Sequence, residues 1–86
     1  MVVYSVIADS NPDAMRQIIS EKFANSDYLE VNDGFWLVHS KAATPREMSA
    51  ILAPNNNIGT FFVMPVTGYY GFHNVSVWDW LKSKGL

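Results

Sequence analysis

Eighty-six residues with a formal net charge of −2 make one small domain with no room for a second. The chain has no cysteine and only two histidines, His39 and His73, which removes disulfides, thiol nucleophiles, thiolate zinc sites and histidine-rich metal sites. Its six cations, Arg16, Lys22, Lys41, Arg46, Lys82 and Lys84, are scattered, so no basic cluster marks a strong phosphate-binding surface.

No apolar run approaches the ~18 residues needed to span a membrane, and the N-terminus has no basic, cleavable leader pattern. A cytoplasmic protein with no membrane partner is the expectation. A domain of this size buries only roughly 60% of its unfolded surface, which favours self-association as a supplement.

Val2 to Ala8 reads as a first strand that closes on Asp9. Ser10 or Asn11 is placed to cap a helix that has Pro12 in its first turn and Asp13 at the positive end of its dipole. Met15, Ile18, Ile19 and Phe23 share one face of that helix. Two strands follow, Tyr28–Val31 and Phe35–Ser40, joined by Asn32-Asp33-Gly34, and Asp-Gly between apolar runs is a strong hairpin signal. Thr44-Pro45-Arg46-Glu47 is a capping box that opens a helix with Met48, Ile51 and Leu52 inward and Pro54 at its end.

Ile58 to Val66 reads as the fourth strand. The aromatic, Gly-punctuated stretch Thr67–Asn74 is a candidate edge strand, and Ser76-Val77-Trp78-Asp79 is a second capping box before a short C-terminal helix. The order is β-α-β-β-α-β plus a tail. It predicts an α+β, ferredoxin-like βαββαβ two-layer sandwich with a C-terminal aromatic extension and short helix.

Two helices cover one sheet face in that fold. Alternation in Phe35–Ser40 and in the fourth strand puts large apolar groups on both faces, so the face without helices calls for a partner. A second copy is the simplest one, with Phe61, Tyr69, Tyr70, Phe72 and Trp78 as candidate interface residues of a homodimer.

Asp9 carries the strongest chemical suggestion. A carboxylate at the tip of a first strand is a place for a hard-oxygen ligand to Mg²⁺ or Mn²⁺, and equivalent aspartates can converge across a two-fold axis. Such an ion supports phosphodiester cleavage. The structural alternative is that Asp9 caps the first helix or accepts loop N–H groups. His39 beside Ser40 or Ser5 lacks the positioned acid and oxyanion hole of a nucleophilic triad.

Val3-Tyr4-Ser5-Val6-Ile7-Ala8-Asp9-Ser10-Asn11, then Phe35-Trp36-Leu37-Val38-His39-Ser40, Thr44–Leu52, Gly59–Val66, Gly71-Phe72 and Trp80-Leu81 together resemble the CRISPR-associated Cas2-like family, including its small SinR-like relatives. The resemblance implies a ferredoxin-like homodimer with Asp9 near the dimer axis. It implies either a metal-dependent nuclease acting on RNA or DNA, with Asp9 as catalytic residue and ligand, or a subunit without catalysis. A non-catalytic dimeric module that binds a protein partner through its aromatic edge and acidic surface is the alternative. The segment Asp33-Gly34-Phe35-Trp36-Leu37-Val38 is also similar to the third strand of RNA-recognition motifs, with Asp33 in place of the basic residue and Leu37 in place of the second ring.

Overall fold

The computed structural model describes residues 1–86. The chain is α+β, with a four-stranded antiparallel sheet and three helices. In chain order these are β1 (Val2–Ala8), α1 (Pro12–Lys22), β2 (Tyr28–Asn32), β3 (Phe35–Ser40), α2 (Pro45–Leu52), β4 (Phe61–Pro65) and α3 (Val75–Ser83), with one 3₁₀ turn at Asn25–Asp27 before β2. None of the helices is long and apolar enough to cross a membrane.

The strands lie in the order β2-β3-β1-β4, so β1 and β3 are central and β2 and β4 are edges. Tyr4 faces Val38 and Pro65, and Val6 faces Trp36 and Val63. Side chains alternate between sheet faces, which sorts the apolar residues into two clusters. Tyr4, Val6, Trp36 and Val38 point toward α1 and α2 and meet Met15, Ile19, Met48 and Leu52 in the main core. All eight are fully buried. The first helix is held by Met15 and Ile19, with Ile18 and Phe23 packed at the margin.

The opposite face is not bare, and this corrects the expectation from alternation. α3 folds back across it, and Val77 and Leu81 pack on Val3 and Leu37, with Leu29, Val31, Phe35, Val66, Trp78 and Trp80 around them. The tail of the same chain therefore provides part of the cover that the sequence assigned to a second copy.

Local signals are met unevenly. The Asp33-Gly34 turn forms, and Gly34 takes φ +93 where a Cβ would stand 3.2 Å from Ala8 O, a close approach that favours glycine. Thr44 caps α2 by accepting from the Glu47 N–H at 3.1 Å, while Glu47 reaches one residue further back, to the Ala43 N–H. β4 begins three residues later than Ile58, because Ile58 is drawn into the main core and Gly59 turns the chain at φ +89.

Thr67–Asn74 forms no strand, so it adds no edge to the sheet. Ser76 lies inside α3 rather than at its cap; Asn74 takes the cap position without a side-chain bond.

Candidate functional site

Three chain segments meet beyond the end of β1. The Asp9 and Ser10 N–H groups both donate to Thr60 O, at 2.9 and 3.2 Å, and the Thr60 N–H donates back to Ser10 Oγ at 2.9 Å. The Ala8 N–H donates to Gly34 O at 2.8 Å, which brings the hairpin turn to the same place. The sheet end is thus locked by backbone bonds, and Ser10 is a strap to the β4 entry rather than a helix cap. Asn11 occupies the cap position of α1 in a left-handed conformation, φ 53 and ψ 57, and makes no side-chain cap bond.

Asp9 is exposed at this tip. Its Oδ2 lies 3.5 Å from Thr60 Oγ1, at the outer limit of a hydrogen bond. Neither the cap nor the loop role engages the carboxylate firmly. Within one chain an ion would find a single carboxylate with the Ser10 and Thr60 hydroxyls, which are 3.2 Å apart and bonded to each other. No group of three or more His, Asp or Glu side chains comes together to hold an ion. Mg²⁺ keeps several waters in its octahedral shell and is usually held through one or two carboxylates; Asp9 offers one, and Asp9 of a second copy would offer a second.

The nearest cation to that tip in sequence is already engaged. Arg16 on α1 pairs with Glu30 on β2, with Asp33 in the hairpin turn at 2.7 Å and with Asp13 on its own helix. Its guanidinium also lies 5.7 Å from the centre of the Trp36 ring. These hydrogen bonds, Glu30 first, then Asp33 and Asp13, push its pKa further above an already high ordinary value. A guanidinium held by three carboxylates is neutralised locally and offers little to a phosphate.

The other polar residues singled out from sequence are spent on structure. Ser40 Oγ is buried and accepts from the Ala42 N–H at 3.1 Å, and the Ser5 hydroxyl donates to Met64 O at 3.3 Å. His39 Nδ1 stands 3.9 Å from Asp27 Oδ1, and Lys84 from the end of α3 reaches the same oxygen at 3.6 Å. His73 Nδ1 accepts from the Asn74 N–H at 2.8 Å. No nucleophile is aligned with a base.

No protein-family model, curated protein or solved structure matches this chain. Its chemistry is therefore read from the surface itself. The candidate interface residues separate into two groups. Phe61 is half-buried against the main core, and Trp78 packs in the α3 cluster with Tyr69 stacked on it, ring centres 5.6 Å apart. Tyr70 and Phe72 are fully exposed, and on the sheet face beyond α3 Phe62 and Met64 are 64% and 44% exposed.

Between the sheet, α3 and the 67–74 tail lies an apolar cavity of about 370 Å³, with Phe35, Leu37, Met64, Val66, Tyr70 and Trp78 among its walls. Sequence reasoning found the aromatics at 69, 70, 72 and 78. Alternation in the fourth strand sets Phe62 and Met64 on the face opposite Phe61 and Val63, but the interface expectation names Phe61, which is half-buried, in place of the exposed Phe62 and Met64.

The same face rules on the likeness to RNA-recognition motifs. Phe35 and Leu37 lie on it, and α3 covers them, leaving Leu37 only 5% exposed. Base stacking on that strand would require α3 to move away.

Proposed function

We propose that the chain is a non-catalytic, self-associating protein-binding module. The observation that supports this most is the apolar strip that α3 leaves uncovered. Phe62 and Met64 are exposed on β4, Tyr70 and Phe72 stand fully in solvent, and Met64 and Tyr70 wall the same cavity. Exposed apolar side chains gathered at one cavity of a small domain, as Met64 and Tyr70 are, mark an interaction site.

In this reading a second copy covers the strip, and an edge of the sheet meets other proteins. The strand order β2-β3-β1-β4 with α1 and α2 as crossovers supports a ferredoxin-like assignment and agrees with the Cas2-like resemblance. The neutralised Arg16 and the scattered remaining cations weigh against RNA or DNA as the principal partner.

Sedimentation equilibrium tests the reading. The wild-type chain is expected to self-associate, and the double variant F62S/F72S to remain folded and shift toward monomer. A wild-type chain that stays monomeric at every accessible concentration overturns it.

A second reading, a metal-dependent nuclease of Cas2-like type, draws support from one observation: the Asp9 carboxylate is exposed and barely engaged. In that reading Asp9 from two copies shares Mg²⁺ or Mn²⁺. Cleavage of RNA or DNA that needs the metal and disappears in Asp9→Ala, with self-association intact, would replace the first reading with this one.

A further inference from the structure

β4 ends the strand order, so one of its edges is open. The register decides which backbone groups face out. The Asp9 N–H bonds Thr60 O, and the Val66 N–H bonds Val3 O at 2.8 Å, in both cases between directly opposed residues. Bonded and non-bonded pairs alternate along an antiparallel ladder. Met64 and Phe62, opposite Ser5 and Ile7, therefore turn their backbone groups toward β1. Phe61 and Val63 turn N–H and C=O outward, and Pro65 adds an outward carbonyl with no N–H.

The two edges are defended differently. β2 carries Glu30, locked to Arg16 of α1, and its register shifts between Glu30 and Asn32. Charges and irregularities of that sort discourage strand addition. β4 reads Phe-Phe-Val-Met-Pro, without a charge, and only Pro65 limits the length of a ladder on it.

A groove of about 500 Å³ runs along this open edge between β4 and α2, with Pro45, Arg46 and Ser49 on the helix side and Thr60, Phe61 and Val63 on the strand side. Arg46 is exposed and takes no part in the ion pairs of the chain, which involve Arg16, Lys84 and His39. The groove thus combines free strand hydrogen-bonding groups, an apolar floor from Phe61 and Val63, and an uncommitted cation.

We propose that this groove receives an extended acidic segment of a partner protein, which adds to β4 as a fifth strand and places a carboxylate on Arg46. The main-chain bonds give affinity and the charge gives selection. The proposal rests on the protein-binding reading above and names the class of partner. It uses the β4 edge, whereas self-association uses the sheet face at Phe62 and Met64, so the two can fail separately.

The test uses a fluorescent peptide of alternating β-branched residues ending in two glutamates, and its counterpart ending in two lysines. Fluorescence anisotropy and amide hydrogen exchange are measured on the full chain, with self-association followed on the same samples. The acidic peptide is expected to bind and to slow exchange at the Phe61 and Val63 amides. Arg46→Glu, an exposed change that leaves the fold intact, is expected to weaken binding by about tenfold, the order for reversing one partner of a charge pair. Val63→Pro, which deletes an outward N–H, is expected to weaken it as well.

No binding, equal binding of both peptides, or indifference to Arg46→Glu overturns the proposal. So does strong protection of the Phe61 and Val63 amides without peptide, which would mean that a second copy occupies the edge. Self-association without peptide binding sinks the proposal alone; absence of both sinks the module reading with it.

Discussion

Arg16 donates from Nε and Nη2 to the two carboxylate oxygens of Glu30, at 2.9 and 3.1 Å, and so clamps α1 to the β2 edge of the sheet. The same Glu30 Oε1 accepts from Trp36 Nε1 at 3.3 Å, which satisfies the one polar atom of a fully buried indole. The fork geometry suits Arg and is unavailable to Lys. A cation that the sequence leaves free is thus committed to holding two layers together.

Removing that cation leaves Asp13, Glu30 and Asp33 without their common partner. Arg16→Gln is expected to lower the thermal midpoint at low ionic strength. Added salt should destabilise the wild type by screening attraction and should spare or stabilise the variant by screening repulsion. Parallel salt dependences in the two proteins would remove the clamp from the account.

The cover of the second sheet face depends on α3. Leu81 is 2% exposed between Val3, Leu37 and Val77. Leu81→Ala is expected to cost about 2 kcal/mol or more in urea unfolding, and to raise exposure of Leu37 and Val3 to solvent probes. A loss below about 0.5 kcal/mol, typical of an unconstrained surface site, would mean that α3 is not seated there.

Gly59 sits at φ +89, and a Cβ on it would fall 2.5 Å from Ser10 Oγ, the atom that receives the Thr60 N–H. Gly59→Ala is expected to destabilise by about 1–3 kcal/mol from backbone strain and this collision. Ser10→Ala removes the collision but not the strain, so the double variant should lose less than the sum of the two single changes. Strict additivity would show that the serine can turn away at no cost.

Burial pushes the Tyr4 phenol above its ordinary pKa of 10.0, and the Glu47 carboxylate adds to the shift. The folded chain then holds its proton at alkaline pH where the unfolded chain releases it. The stability from this difference is present below pH 10 and falls as pH rises past 10 toward the folded pKa. Tyr4→Phe should flatten that alkaline decline. At neutral pH it should cost about 1 kcal/mol for the lost hydrogen bond, the one from Tyr4 Oη to Ala42 O at 2.7 Å.

Asp9→Ala is expected to change stability by less than about 0.5 kcal/mol, as for a surface position without firm contacts. A larger loss would show that its contact with Thr60, or a local cap, matters more than its 3.5 Å length implies.

The β-α-β-β-α-β order, the Asp33-Gly34 hairpin and the Thr44 cap were legible because each is decided within a few residues. Gly34 takes a positive φ that the turn demands, and the Thr44 hydroxyl needs only the N–H of Glu47. The Ser76 cap is not formed, because the last helix already begins at Val75 and Asn74 holds the cap position. Ser10 was misread because its partner, Thr60, is fifty residues away.

The sequence by itself determined the element order, the two apolar faces and the absence of thiol or clustered-histidine chemistry, since composition and period-two alternation are properties of the chain alone. Tertiary structure decided three things. It laid α3 over the second face, spent Arg16 on three carboxylates, and left Arg46 free beside the open edge of β4. Each depends on which distant segments meet, and burial and charge pairing reward the meeting without leaving a local mark in the sequence.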